Sequence, residues 1–144
     1  MNIEGRIAKY FSLKEMANNL TSDPIKLDLS KGLDQQGHMM DELREWYGKP
    51  MEVNSWYREK EFNKSVNGDP NSCHLSGIAS DIAMLDITKE KAELYAEIWR
   101  SICIRYGVIG GVSIYLNRKF MHFDSNNDPD RYGKYGVDFR KQYF

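Results

Sequence analysis

Hydrophobic positions recur at helical spacing in three stretches of the chain and alternate at strand spacing in three others. In "YFSLKEMANNL", residues 10 to 20, Ser12 stands three positions before Glu15 as in a capping box, and Phe11 with Met16 fits a hydrophobic staple. A short helix ending near Asn18 or Asn19 is predicted there. A second helix is predicted from about Leu33 to Tyr47, with Met40, Leu43 and Tyr47 on one side and Gly48 as its stop before Lys49-Pro50. The clearest helix follows Thr88, a good N-cap residue. Its stripe of Ala92, Tyr95, Trp99, Ile102 and Tyr106 reads as core packing, and Gly107 ends it. "MEVNSW" alternates as a strand should, and "VIGGVSIYL" and "KFMHFD" read as two strands joined by a polar turn around Asn117-Arg118. Helices first, then strands around a central segment, predict an α+β fold with a small antiparallel sheet and flanking helices.

Composition narrows this picture. At 144 residues, 41% of them hydrophobic, the chain has room for one domain with a real core, and residues 1–144 are read as that single domain. The formal net charge of -1 argues against a general nucleic-acid binder. No apolar run approaches the roughly 18 residues of a membrane span, and the opening "MNIEGRIAKYFSLKE" lacks the apolar core of a secretory signal. The expected product is therefore made in the cytoplasm, without a membrane span, and is expected to be a monomer. Cys73 and Cys103 are the two cysteines, and in that compartment a reduced pair is the expectation.

The chemistry concentrates in "NSCHLSGIASDI", residues 71 to 82, which places His74 and Asp81 among small residues. A charge buried without a partner costs several kcal/mol, on the order of a broken ion pair, and a shared metal ion is one remedy. Zinc is held by imidazole nitrogens and carboxylate oxygens, with three protein ligands and one open position in catalytic sites. A third ligand would come from His38 or His122. His38 lies among polar residues of a predicted helix and reads as a solvated surface histidine. His122 alternates with Phe120 and Asp124 on a predicted strand, so it shares a face with that aspartate. The plain alternative is that His74 and Asp81 each bond neighbouring backbone. Cys73 reads as a small buried thiol.

A longer pattern bears on the choice. The run "VNSWYREKEFNKSVNGDPNSCHLSGIASDI", residues 53 to 82, resembles the zinc D-alanyl-D-alanine carboxypeptidase family, in which a Ser-x-Tyr-Arg segment precedes Ser-x-His-x-x-Gly-x-Ala-x-Asp. "YFSLKEM", "MDELREWYGKP" and the closing "YGVIGGVSIYLNRKFMHFD" are similar to that family as well, so the likeness runs from Tyr10 to Asp124. It implies the fold shared by these peptidases and the Hedgehog signalling domain. It also implies Zn2+ on His74, Asp81 and His122, with Arg58 gripping the substrate and Ser72 and Tyr115 on the substrate side of the pocket. A guanidinium offers the rigid fork such a grip needs, whereas a surface salt bridge to Glu59 or Glu61 is the plainer role for Arg58. Gly77 lets the backbone turn between ligands. Ser72, Ser76 and Ser80 are candidates for orienting them.

The pattern also departs from the family. Many members carry an acidic residue three positions before the last zinc-binding histidine, where this chain has Lys119. Asp124 is the nearest replacement as general base, and it has two alternative roles, orienting a ligand or capping the turn in "DSNNDPDR". Ser125-Asn126 replaces a continuation that in a related branch often leads to an arginine. The implied activity is zinc-dependent hydrolysis of peptidoglycan stem or cross-link peptides next to a D-amino acid, at the cell wall, after phage-type release or as part of a virion. The alternative is a non-catalytic zinc-stabilised wall-binding or virion module. In the tail, Tyr132, Tyr135, Phe139 and Tyr143 either cover the core or line a groove.

Overall fold

The computed structural model describes residues 8–16, 31–58, 60–68, 73–127 and 139–144. The elements in chain order are α1 (Leu13–Met16), α2 (Lys31–Tyr47), β1 (Glu52–Ser55), α3 (Lys60–Ser65), β2 (Ala79–Ala83), α4 (Lys89–Tyr106), β3 (Gly111–Tyr115), β4 (Phe120–Asp124) and β5 (Arg140–Tyr143), with a 3-10 turn at Cys73–Ser76 before β2. The capping box at α1 forms as expected. The Ser12 N–H donates to Glu15 Oε1 at 3.0 Å, and the Glu15 N–H returns a bond to Ser12 Oγ at 3.1 Å. Phe11 and Met16, the staple pair, are both fully buried. The expected end of α1, at Asn18 or Asn19, lies outside the described residues.

Thr88 caps α4 by accepting the Lys91 N–H at 3.2 Å, and Gly107 closes the helix in the left-handed conformation at φ 70. Helix α2 begins two residues earlier than the hydrophobic pattern indicates and ends at Tyr47 as expected. It lays Leu33, Met39, Met40 and Leu43 into the core, each fully buried, and packs against α4. Fully burying a side chain of this kind contributes roughly 1.5–3 kcal/mol. His38 stays on the outer side of α2, 53% exposed, 3.4 Å from Asp34 one helical turn away.

The sheet order is β1-β2-β4-β3-β5. The first four strands run antiparallel to their neighbours, and β5 pairs parallel with β3. The small antiparallel sheet expected is present in β1–β4, and β5 adds one parallel edge to it. Asp124 at the end of β4 and Arg140 at the start of β5 both register with Gly111, so β5 runs antiparallel to β4 and takes the free edge of β3 parallel to it, whereas the short turn after β3 makes an antiparallel hairpin. Sequence patterning also missed β2 and α3. Val112, Ile114, Met121, Phe123 and Ile82 form the helix-facing side of the sheet and are all fully buried. Alternation then places Ser113, Tyr115, Phe120, His122, Asp124 and Asp81 on the opposite side. Phe139 packs against the core, and Tyr143 reaches Glu93 of α4 through its hydroxyl at 2.5 Å. Tyr132 and Tyr135 lie outside the described residues.

Candidate metal centre

Strand register assembles the site. Ser55, Asp81, His122 and Ser113 face one another across β1, β2, β4 and β3, so one transverse row brings the aspartate beside the histidine from 41 positions further along. His122 Nδ1 lies 2.9 Å from Asp81 Oδ1. His74 approaches from the 3-10 turn, with Nε2 3.3 Å from Asp81 Oδ2. One donor atom from each of these three residues lies within 4.8 Å of the other two. Zinc bonds of about 2.0–2.1 Å would separate tetrahedral ligand atoms by roughly 3.3–3.4 Å, and the His74 and His122 nitrogens approach the Asp81 oxygens at about that distance.

Both imidazoles are aimed from behind. A carbonyl oxygen only accepts, so the 2.5 Å contact from His74 Nδ1 to the Trp56 carbonyl puts the proton on Nδ1 and leaves Nε2 to face Asp81. Trp56 is fully buried, and its indole N–H donates to the Gly77 carbonyl at 2.9 Å. The Arg58 N–H donates to the His74 carbonyl at 3.0 Å, so the segments carrying Arg58 and His74 brace each other. Gly77 closes the turn at φ 75, and a Cβ there would stand 3.1 Å from Leu33 of α2. On the other side, His122 Nε2 lies 3.2 Å from Asp124 Oδ2, which leaves Nδ1 toward Asp81.

The cavity above these three residues measures about 590 Å³ and is lined by His74, Asp81, His122, Arg58, Tyr115 and Phe120, with Ser55, Asn54, Val66 and Arg118 at its sides. Arg58 is held on three sides: Nε donates to Ser55 Oγ at 3.0 Å, Nη1 to Asn63 Oδ1 at 3.3 Å, and Nη2 to Asp81 Oδ2 at 3.5 Å. Its side chain is 17% exposed, so it belongs to the cavity wall and not to the surface. Glu59 and the side chain of Glu61, its alternative partners, lie outside the described residues, as do Ser72 and the side chain of Ser76. Burial raises the pKa of the Tyr115 hydroxyl, and Asp81 adds to the shift, so the phenol stays protonated at neutral pH. Ser80 points away from the site and accepts from Gln36 Nε2 at 3.2 Å on the helix-facing side, so it orients no ligand.

Asp124 shares the face of His122, as strand alternation requires, but it is fully buried and does not line the cavity. Its Oδ2 accepts from Arg140 at 2.5 Å, its Oδ1 from the Asn126 N–H at 3.2 Å, and its carbonyl from the Trp99 indole at 2.9 Å. This geometry matches both of its alternative roles, orienting His122 through Oδ2 and holding the following turn through the Asn126 N–H. Lys119 lies in the exposed turn after β3, at φ 56, outside the cavity lining. Cys73 and Cys103 are both buried, and no disulfide joins them. The contact of Arg140 with Asp124 beside Gly111 escapes sequence reasoning, because it depends on a register that sequence spacing does not display.

The charges of the site predict an unusual pH profile for the metal-free protein. Burial opposes the charged form of His122, but its bonds to Asp124 and Asp81 outweigh burial and raise its pKa from 6.5 to about 9. Burial likewise raises the pKa of Asp81, yet the His74 charge and bonds from His122 and His74 hold it well below its ordinary 3.8. The His122 contribution is complete below about pH 6.5 and is lost as pH rises through about 9; the Asp81 contribution is present above about pH 3.8 and is lost below it. These two groups therefore favour a stability maximum between about pH 4 and 6.5. Thermal unfolding in chelator should show the midpoint falling from about pH 6.5 to about 9, and a rise across that range contradicts the assignment.

No helix among the described residues is long and apolar enough to cross a membrane. No curated protein matches the chain closely enough to count as a relative. A comparison with protein families matches residues 9–124 to Peptidase M15, a span that begins before α1 and ends on Asp124, the last residue of β4. M15 peptidases are metal-dependent hydrolases of peptide bonds, and a three-donor cluster at the base of a cavity agrees with that chemistry. The chain belongs to the Peptidase M15 family, the zinc D-alanyl-D-alanine carboxypeptidase family that its motifs resemble.

Proposed function

We propose that the protein is a zinc-dependent peptidase that hydrolyses peptidoglycan stem or cross-link peptides next to a D-amino acid. The observation that carries this reading is the convergence of His74, Asp81 and His122 beneath a cavity whose wall holds a braced arginine. His74 through Nε2, His122 through Nδ1 and an Asp81 oxygen would hold the ion. Bound there, zinc supplies an activated water and polarises the scissile carbonyl. Arg58 presents N–H groups to a substrate carboxylate or carbonyl oxygen, and its partners Ser55 and Asn63 keep it from swinging away as charge develops. The Tyr115 hydroxyl, protonated at neutral pH, donates to the peptide, and Phe120 stacks beneath it at 4.2 Å as an apolar floor. Asp124 keeps a proton on His122 Nε2 and so presents Nδ1 to the metal.

The test is release of new amino groups from purified peptidoglycan of several chemistries by protein loaded with one equivalent of zinc. No release from any of them, by folded and fully loaded protein, would sink the peptidase reading. One observation favours a second reading, a zinc-stabilised module that binds wall peptides or a virion partner without cleaving. Among the described residues, Asp81 is the only carboxylate lining the cavity, and it is committed to the metal cluster. Zinc-dependent retention on sacculi without amine release would establish that reading. We place the action of either form at the bacterial wall, reached by phage-type release or on a virion.

A further inference from the structure

Next to the row of metal-site residues, the sheet carries a second row: Ala79 on β2, Asp124 on β4, Gly111 on β3 and Arg140 on β5. Arg140 and Asp124 are therefore separated by a whole strand, and in a regular sheet the side chain between them would keep them apart. Position 111 is glycine. A Cβ built there would stand 3.2 Å from the Arg140 guanidinium carbon and 3.1 Å from its Cβ. The missing side chain is the gap through which the guanidinium crosses β3 to reach Asp124.

Its contact falls on a particular oxygen. Arg140 Nη2 bonds Asp124 Oδ2 at 2.5 Å, and His122 Nε2 lies 3.2 Å from that same Oδ2. The Asn126 N–H holds Oδ1 at 3.2 Å, so both ends of the carboxylate are fixed, and its plane with them. Asp124 is fully buried and Arg140 nearly so, which makes the pair a charge-assisted bond largely shielded from water. The parallel edge strand sets the reach of Arg140, whose N–H donates to the Gly110 carbonyl at 3.3 Å.

We propose that Arg140 is a positioning residue for the metal centre: passing over Gly111, it locks the Asp124 carboxylate that orients His122 toward the ion. The proposal rests on the metal-centre reading above. Outer partners of a metal-bound histidine commonly govern metal affinity by about 10- to 100-fold. Arg140 is one step further out, acting through Asp124. Its removal frees the carboxylate to rotate about its own bond, and His122 loses the fixed acceptor that defines its ring orientation.

The test is a double-mutant cycle of Arg140→Gln and Asp124→Asn, read by Co2+ affinity and by the visible absorption of bound Co2+. Metal-free thermal unfolding is measured in parallel. Arg140→Gln should weaken Co2+ binding about 10-fold or more and alter the spectrum. In the Asp124→Asn background the same change should cost little further affinity, because its route to the metal has already been altered. The double variant leaves no charged partner of the pair stranded, so it preserves a folded protein for measurement if Arg140→Gln alone unfolds. Arg140→Lys, which keeps the charge without the fork, should fall between wild type and Arg140→Gln. Equal and additive losses in both backgrounds, or wild-type Co2+ affinity and spectrum in folded Arg140→Gln, would overturn the proposal. A wild-type protein that takes up no Co2+ or Zn2+ would instead overturn the metal-centre reading on which it stands.

Discussion

Asp81→Ala is expected to abolish metal binding and peptide hydrolysis together. Asp81 is the hinge of the cluster, within 3.3 Å of His74 and 2.9 Å of His122, and it also accepts from Arg58 at 3.5 Å. It is the only carboxylate among the three candidate ligands. Without it, two imidazoles remain to hold a divalent cation, and both catalytic zinc geometry and charge compensation are lost. Elemental analysis should fall from about one equivalent of zinc to a small fraction, and amine release should fall about 10³-fold or more, as expected when Lewis-acid activation disappears. Stability separates the cause: the variant should unfold at a midpoint insensitive to added zinc, whereas the wild-type midpoint should rise with it. A variant that retains a full equivalent of zinc would remove Asp81 from the ligand set.

Arg58→Lys is expected to lower kcat/KM by about 10²-fold while leaving metal content intact, the scale of losing a positioned charge-assisted donor. A lysine keeps the positive charge but cannot reproduce three N–H groups aimed separately at Ser55, Asn63 and Asp81. The ammonium would collapse toward Asp81, the nearest carboxylate, and leave the peptide oxygen without its donor. Steady-state kinetics distinguishes the role: a loss confined to KM marks ground-state binding, and an equal loss in kcat marks stabilisation as charge develops. Wild-type kcat/KM in Arg58→Lys would return Arg58 to an ordinary structural ion pair.

Much of the scaffold is legible in the amino-acid sequence. The capping box of Ser12 and Glu15, the Thr88 and Gly107 caps, and the hairpin around Asn117-Arg118 are local devices, each satisfied by residues a few positions apart. Strand β2 is not legible, because "ASDIA" carries small and polar residues whose partners lie on β1 and β4. Strand β5 is hidden for a similar reason: "RKQY" has no apolar alternation, and its membership of the sheet is decided by the free edge of β3. Ser80 shows the reverse error, a polar residue near ligands in sequence that strand alternation sends to the other face.

The sequence by itself determined the donor set, because only certain side chains carry metal-binding nitrogen and oxygen, and the order Arg58, His74, Asp81, His122 is a property of the chain. It also determined the α+β class through two hydrophobic periods. Tertiary structure decided which nitrogen of each imidazole faces Asp81, since that depends on the Trp56 carbonyl behind one ring and the Asp124 carboxylate behind the other. It decided the station of Asp124 as well. A residue two positions from His122 is set on the same face by alternation alone, but its solvent access is set by what lies across the sheet, and here that is Arg140 reaching over Gly111. Hydrogen-bond direction and burial are relations between strands far apart in sequence, so no local pattern encodes them.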